Sequence, residues 1–327
     1  MVSLTDPALT ERMTDTKTQA TLVLGGTGKT GRRVAQRLTT LGRPVRVGSR
    51  SGRPRFDWQD QATWTPALDD VTAVYVSYYP DLAIPGAVEA VGSFAELAVR
   101  RDVPRLVLLA GRGEPEAELA EQAVRSSGAE LTILRAAWFA QNFSEDYLLG
   151  PVLAGEVALP AGDTPEPFVD ANDIADVAVA ALTQDGHAGH VYELTGSQLL
   201  TFAEAVGEIA KATGRQIRYL PVPIDEYAAV AAGQGAPAEA VELLTYLFSE
   251  VLDGRNARIA DGVRRALGRE PRDFTGYARH TAASGVWDTP AASRADRRST
   301  ATSGSSPSSR RWGRACQAAC SSPSPPS

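Results

Sequence analysis

Short apolar runs alternate along this chain with stretches in which apolar residues recur about every three to four positions. The runs predict strands, and the longer periodic stretches predict amphipathic helices. In the first half of the chain we expect strands near 20–25, 44–49, 55–58, 72–77, 105–110 and 130–135. Helices are expected near 29–41, 84–101 and 115–127. This alternation is typical of a parallel sheet with crossover helices on its faces.

The pattern changes after residue 150, where glycine, proline and small residues accumulate up to 167. Strands are expected beyond it near 168–170, 190–194 and 216–221, and helices near 172–183, 201–213, 224–233, 238–252, 258–267 and 273–284. We therefore expect an α/β fold, a doubly wound parallel sheet with a smaller, mainly helical carboxy-terminal lobe. The expected units are a flexible segment over 1–19, a dinucleotide-binding domain over 20–150, a substrate-side lobe over 151–287 that interleaves with that core, and a disordered tail over 288–327.

A glycine-rich turn separates the first predicted strand from the first helix. Its glycines leave the backbone open to close approach by a ligand. The unpaired N–H groups and partial positive charge at a helix start suit a pyrophosphate. One alternative is a loop that binds a nucleoside triphosphate, but that motif would need glycine where Val23 stands. The other alternative is a tight turn that binds no ligand. The residues expected to bind a dinucleotide are Gly25, Thr27, Gly28, Lys29, Thr30 and Gly31.

Basic residues follow the second predicted strand and bear on the choice of dinucleotide. Arg50 and Ser51 stand where an NAD-selective site usually places an acidic residue, and an arginine there can clamp a 2′-phosphate. NADP(H) is therefore favoured over NAD(H), although a solvated basic turn is the alternative. Asp57 and Trp58 are expected to flank the adenine, unless Trp58 is a packing residue.

The turn Gly25-Gly-Thr-Gly-Lys-Thr-Gly31 resembles the loop of the NmrA-like group among the atypical short-chain dehydrogenase/reductases. The resemblance extends over about residues 20 to 287. It implies a Rossmann fold, a bound NAD(P) and oxidoreductase activity. Further segments carry it: Phe56-Asp-Trp-Gln-Asp60, Leu131-Thr-Ile-Leu-Arg135, Trp138-Phe-Ala-Gln-Asn142, Phe168-Val-Asp-Ala-Asn-Asp-Ile-Ala-Asp176 and Tyr192-Glu-Leu-Thr-Gly196.

The usual catalytic pair of short-chain reductases is missing. In those enzymes a tyrosine donates a proton and a lysine four residues later lowers its pKa. None of the nine tyrosines here is followed by lysine at that spacing, and alignment with the usual helix puts Ala117 at the lysine position and Gly113 at the tyrosine position. The catalytic residues therefore stay unassigned, with Tyr78 and Tyr79 as the candidates for a proton donor.

Aromatic and amide side chains follow two of the predicted strands, and such side chains suit a planar organic substrate. Core packing at a lobe interface is the alternative for each of them. The function indicated is an NAD(P)H-dependent oxidoreductase that transfers hydride to a small planar ketone, quinone or enone. The alternative is a non-catalytic, NADP(H)-binding redox-sensing regulator. The expected pocket residues are Tyr78, Tyr79, Trp138, Phe139, Gln141 and Asn142.

Composition bears on which kinds of partner and which compartment to expect. The net charge of −6 argues against a nucleic-acid-binding groove. No apolar run reaches the length of about 20 residues that a membrane helix needs, and the first residues do not resemble a secretory signal. We therefore expect a cytoplasmic protein with a small-molecule substrate, and a homodimer or a regulatory protein partner is possible. No metal site is expected, since there are three histidines and the two cysteines are Cys316 and Cys320.

Overall fold

The computed structural model describes residues 19–289. Nearly all of the segments predicted as 1–19 and 288–327 lies outside this range. The strands are β1 (Ala20–Leu24), β2 (Val45–Gly48), β3 (Val71–Val76), β4 (Arg105–Gly111), β5 (Glu130–Ala136), β6 (Glu156–Leu159), β7 (Val191–Leu194) and β8 (Arg218–Pro221).

Twelve α-helices accompany these strands within residues 19–289. They are α1 (Gly31–Thr40), α2 (Trp64–Leu68), α3 (Ala87–Arg100), α4 (Pro115–Ser126), α5 (Asn142–Glu145), α6 (Leu149–Ala154), α7 (Ala171–Thr183), α8 (Phe202–Thr213), α9 (Ile224–Gly233), α10 (Ala238–Tyr246), α11 (Gly262–Leu267) and α12 (Phe274–Ala283). No helix in this part of the chain is long and apolar enough to cross a membrane.

Six parallel strands form the main sheet in the order β2-β1-β3-β4-β5-β7. The strand order reverses between β1 and β3, and open parallel sheets bind ligands outside the carboxyl ends of their strands at such a point. The glycine loop after β1 lies at this position. The predicted doubly wound fold with a helical carboxy-terminal part is confirmed.

Each face of the sheet buries its own apolar layer. On one face, side chains such as Leu106 and Ile133 pack against Phe94 of α3 and Val124 of α4. On the other face, Leu134 packs in a layer with α1 and α7. Parallel sheets need this cover on both faces, which explains why their strands read as nearly continuous apolar runs.

A third apolar cluster lies in the carboxy-terminal lobe, around the two-stranded parallel sheet β6–β8. Phe143 and Phe168 join it from the segments after β5 and β6, and Phe202 and Phe274 join it from α8 and α12. The lobe therefore packs on the same edge of the main sheet at which the strands end.

Several predicted elements are wrong in detail. The segment 55–58 is not a strand, because its backbone bonds locally: Phe56 N–H donates to Ser49 and Asp57 N–H to the Thr63 hydroxyl. The segment 168–170 is reduced to a bridge between Phe139 and Val169. The predicted helix 258–267 starts at Gly262, and 238–252 ends in a π-helical turn. Elements β6, α2, α5 and α6 were not predicted.

Candidate cofactor and substrate site

Three of the four glycines in the glycine loop have different roles. Gly25 has a φ of +64°, which favours glycine, and a Cβ on Gly31 would come within 2.3 Å of the Gly25 carbonyl oxygen. These two glycines are therefore required by the turn and its packing against α1. A Cβ on Gly28 would meet only the Gly25 oxygen, at 3.2 Å, and Gly28 itself is exposed. The loop is thus open at Gly28, which fits a pyrophosphate lying against the backbone.

Salt bridges join the glycine loop and the start of α1 to the segment after β5. Lys29 Nζ donates to Asn142 Oδ1 at 2.8 Å and also contacts Asp146. Arg33 binds Glu145 through its two terminal nitrogens: Nη2 donates to Oε1 at 2.6 Å, and Nη1 donates to Oε2 at 3.0 Å. The structure therefore brings the predicted cofactor loop and part of the predicted substrate segment together.

The Glu145 carboxylate also holds Arg32. Burial by itself would raise the pKa of Glu145, but the hydrogen bonds and charges of Arg33 and Arg32 bring that pKa below its usual range. Arg32 faces this carboxylate, so it is a less suitable partner for a 2′-phosphate than the arginines after β2.

The turn after β2 carries exposed basic side chains. Arg50 and Arg53 are exposed and form no ion pair with any residue in the range 19–289, whereas Arg55 binds Asp57 at 2.6 Å. The pKa of Asp57 is lowered by the backbone N–H of Gln59 and by Arg55. The only carboxylate predicted for this part of the site is thus already paired.

Trp58 and Tyr78 belong to one aromatic cluster, with ring centroids 5.0 Å apart. Trp58 also packs edge-on against Phe56 and Phe94, at 4.9 and 5.4 Å. Burial raises the pKa of Tyr78. Tyr79 is 75% exposed. Tyr78 therefore lies with the residues expected at the adenine end of the site.

The segment after β5 makes different contacts. Trp138 packs against Phe202 and Phe248 of the carboxy-terminal lobe, at 5.4 and 5.0 Å between ring centroids. Phe139 lies under the Lys29 ammonium group, 5.6 Å from it. Within residues 19–289 no ring contact joins Trp138 to Tyr78 or Tyr79. The two halves of the predicted substrate pocket therefore do not pack directly on each other through these rings.

Gln141 is not free to contact a substrate. Its side chain is 2% exposed, its Nε2 donates to Asp170 Oδ1 at 2.7 Å, and its Oε1 accepts from Ala171 N–H at 2.7 Å. Both ends of the amide are used to hold the start of α7. The expectation that this amide anchors a substrate is thus not supported by its hydrogen bonds.

Buried charged residues at the strand ends were not predicted. Arg112 directly follows β4, is 4% exposed, and donates through Nε to Glu193 at 3.0 Å and through Nη1 to the Asn256 carbonyl at 2.8 Å. Glu166 is fully buried on the crossing from β6 to α7. A sequence signal exists for Arg112, since a charged residue at the end of an apolar strand often faces a site. Nothing in the sequence marks Glu166.

A buried pair of acidic residues lies between the exits of β3 and β4. The carboxyl groups of Asp81 and Glu114 hydrogen-bond to each other, and burial raises the pKa of both. Asp81 also accepts from the Ala83 N–H at 2.9 Å. Burial and the neighbouring carboxyl group therefore both disfavour the charged form of Glu114.

Two other features of the described residues lie outside this edge. No group of three or more His, Cys, Asp or Glu side chains among them is arranged to hold a metal ion. A groove of about 590 Å³ lies between the carboxyl-terminal halves of α1 and α7. Because α1 runs away from the glycine loop, this groove is at the opposite edge of the sheet from the cofactor loop.

Comparisons with known proteins place the chain in a family. A model of the NmrA-like family matches residues 118–277. An oxidoreductase of Bacillus subtilis, YesF, whose function is uncharacterized, is 31% identical over 270 residues, which cover 79% of this chain and 93% of YesF.

A reductase of Streptomyces griseus that is named for (4-alkanoyl-5-oxo-2,5-dihydrofuran-3-yl)methyl phosphate is 32% identical over 278 residues, or 79% of this chain and 96% of that enzyme. The NADPH complex of the Escherichia coli quinone oxidoreductase QOR2 has the same fold, with a TM-score of 0.68, 20% identity and coverage of 80% and 99%. With a glycine loop, sheet and lobe of this kind, and relatives above 30% identity over most of their length, the chain belongs to the NmrA-like family.

Proposed function

We propose that this protein is an NADPH-dependent reductase that transfers hydride to a small, planar, conjugated acceptor such as a ketone, a quinone or an enone. The observation that carries the proposal is the open backbone at Gly28, on the carboxyl edge of the sheet, next to a lysine that reaches the segment after β5. A ligand held by this loop would lie beside that segment. When bound, NADPH supplies the hydride.

The preference for NADPH rests on the turn after β2. Arg50 and Arg53 are exposed and unpaired among the described residues, while Asp57 is paired with Arg55. A 2′-phosphate would find two free guanidinium groups here, and a ribose 2′-hydroxyl would find no free carboxylate. Arginine is well suited to this role because its planar fork matches phosphate geometry.

The substrate class is supported by side chains and by relatives. Trp138 and Phe139 offer aromatic faces at the strand ends. The Streptomyces reductase is named for a ring whose double bond is conjugated with carbonyl groups, and the Escherichia coli enzyme is named for quinones. Conjugated acceptors of this kind need less activation than an isolated ketone, which suits a chain without a Tyr-x-x-x-Lys pair.

The test is NADPH oxidation by the purified protein with p-benzoquinone, a naphthoquinone, cyclohexenone and an unsaturated lactone. We expect turnover with at least one acceptor, and Gly28→Val should lack it. Tight NADPH binding without turnover on the whole panel would instead favour a redox-sensing regulator. Failure to bind either dinucleotide would overturn both functions.

A further inference from the structure

Two buried side chains that follow strands of the main sheet or of the lobe, Arg112 and Glu166, have polar atoms without hydrogen-bond partners. Glu166 has no exposed surface, and neither of its carboxyl oxygens has a partner. Arg112 is 4% exposed, and its Nη2 has no partner. Leaving a buried polar group unsatisfied destabilises the fold, so a native structure normally has a reason for it.

Arg112 and Glu166 are held in different ways. The Arg112 guanidinium is held through Nε by Glu193 and through Nη1 by the Asn256 carbonyl, and the Arg112 carbonyl accepts from Asn256 Nδ2 at 2.9 Å. The backbone of Glu166 exchanges two hydrogen bonds with Leu200, of 2.9 and 3.0 Å. The Arg112 side chain is therefore fixed with Nη2 unpaired, and Glu166 is fixed at its backbone.

The two groups also act on each other through their charges. The positive charge of Arg112 lowers the pKa of the Glu166 carboxyl group, and no hydrogen bond joins the two side chains. An N–H donor and a carboxyl group that both lack partners can be satisfied together by a third group, which accepts from the donor and exchanges a proton with the carboxyl group.

Arg112 and Glu166 follow strands of the main sheet and of the lobe, on the side where the proposed reaction needs polar groups. Arg112 directly follows β4, next to Gly113, the position that corresponds to the missing tyrosine of the usual short-chain reductases. Glu166 lies three residues before Val169, which pairs with Phe139 after β5. Ligands of doubly wound sheets lie at these strand ends.

We propose that Glu166 and Arg112 form the polar end of the acceptor site, in which Arg112 Nη2–H binds the carbonyl oxygen of the acceptor and Glu166 donates the proton that completes its reduction. This assignment rests on the proposed reductase function. It replaces the missing tyrosine by a carboxylic acid, and the missing lysine by a guanidinium group fixed on the strand end.

A bound NADPH would supply a hydride that forms a new C–H bond on the acceptor, and the displaced π-electron pair would move to the carbonyl oxygen. Arg112 stabilises the negative charge on that oxygen. The O–H bond of Glu166 breaks, and its proton passes to the oxygen, or to the α-carbon of an enone. In a quinone the carbon that gained the hydride would then lose a proton to water as the ring becomes aromatic, and its electron pair would reduce the second carbonyl group, which takes a proton from water. The Glu166 carboxylate regains a proton from water after the product leaves.

The acidity of Glu166 suits this role. Burial raises its pKa to about 7, while the charge of Arg112 acts in the opposite direction. Among the described residues Arg112 is the charged side chain that acts on Glu166. A general acid is most effective when its pKa lies near the working pH. Near neutral pH, Glu166 is therefore partly protonated and can donate.

The test compares Glu166→Gln with Glu121→Gln, a matched control at another buried carboxyl, which binds Arg135 at 2.7 Å. With an accepted quinone, Glu166→Gln should lose about 10²–10⁴-fold in kcat, as expected for a general acid, and should keep its Kd for NADPH. The wild-type kcat should fall above a pH of about 7, and this decline should be absent from the residual rate of Glu166→Gln. Glu121→Gln should keep the wild-type pH profile.

A second readout needs no turnover. The infrared spectrum of the NADP⁺-loaded protein should contain the band of a protonated carboxyl group that titrates near neutral pH, shifts on addition of hydroquinone and is missing in Glu166→Gln. Arg112→Lys keeps the positive charge but loses the planar guanidinium group and its Nη2–H donor. This variant should raise the Kd of hydroquinone about tenfold.

The outcomes separate the two claims. If the wild type reduces quinones and Glu166→Gln retains its kcat and pH profile, the inference about Glu166 is wrong and the reductase function stands. If no acceptor is reduced but the band responds to hydroquinone, the site assignment stands without the proposed reaction. A carboxyl band that does not shift on addition of hydroquinone would overturn the assignment in either case.

Discussion

Gly28 is the loop glycine whose missing side chain faces almost no protein. Gly28→Val should abolish dinucleotide binding and leave the fold intact, because the new side chain would fill space beside the backbone rather than in the core. Gly207→Ala is the matched control, since a Cβ on this helical glycine meets no atom within 4 Å. Circular dichroism and a binding titration measure both effects. Retained affinity in Gly28→Val would show that the loop does not hold the cofactor.

Arg50, like Arg53 and unlike Lys29, Arg32 and Arg33, forms no salt bridge with a carboxylate among the described residues. Arg50→Asp should weaken NADPH binding by about 1–3 kcal/mol through loss of a charge-assisted phosphate contact, and should affect NADH much less. Arg43→Asp, at the other end of β2, is the control for the change of net charge. Titrations of both cofactors decide the matter, and equal losses for NADPH and NADH would remove the basis for the cofactor preference.

The amide side chain of Gln141 links the segment after β5 to the start of α7. Gln141→Ala should lower the free energy of unfolding by about 1–3 kcal/mol, because Asp170 and the Ala171 N–H would lose buried partners. If Gln141 anchored a substrate instead, the variant would raise KM at unchanged stability. Urea unfolding together with steady-state kinetics separates the two effects. Asn142→Ala, which removes a partly exposed group bound to Lys29, is the comparison.

The carboxyl pair between the β3 and β4 exits makes stability depend on pH. Because the pKa of Glu114 is raised in the folded state above the ordinary value of 4.5, its contribution is fully present below that value and is lost as the pH rises through the folded-state pKa. Glu114→Gln should therefore gain in Tm relative to the wild type as the pH rises above the ordinary value of 4.5. A difference in Tm that stays constant as the pH rises above this value would show that the pair is not coupled to folding.

The sequence predicted best those elements whose apolar residues form an unbroken pattern along the whole element. Strands β1, β3, β4 and β5 are buried on both faces, so each reads as an apolar run. The segment 55–58 alternates like a strand, yet its N–H groups bond to Ser49 and Thr63. Pairing partners of this kind depend on the tertiary fold and leave no local signal.

Some candidate functional residues belong to a local motif, whereas others come together only in the folded chain. The glycine loop is a local motif, so the turn between β1 and α1 could be predicted from sequence alone. Arg112 and Glu166 are 54 positions apart in sequence, and their relation arises only when the crossing segment pairs beside β5. Gln141 had the right residue type for a substrate anchor, but only the fold shows that α7 uses both ends of its amide.

At the scale of the whole molecule, Trp287 is a core residue close to the end of the range that the structure describes. Its ring is fully buried, its Nε1 donates to the Phe143 carbonyl at 2.9 Å, and its own carbonyl accepts from Arg215 at 2.8 Å. The predicted tail boundary at 288 follows this residue directly.

Removal of residues 290–327 should leave the Tm and the cofactor affinity nearly unchanged, because that segment has no apolar periodicity. Removal of residues 287–327 should lower the Tm by many degrees, since loss of a buried tryptophan costs about 3–5 kcal/mol. Thermal unfolding of the two truncations provides the comparison. A large loss on the shorter truncation would show that the tail packs on the body.

The salt bridges between Lys29 or Arg33 and the segment after β5 have a kinetic consequence. A pyrophosphate at Gly28 would compete with Asp146 for Lys29, so the position of α5 depends on whether the loop is filled. We expect compulsory order, with the dinucleotide binding first and the acceptor second. Product inhibition should then show NADP⁺ competing with NADPH and the reduced acceptor not competing with it. An acceptor that binds equally well to the cofactor-free protein would mean that the two substrates enter at random.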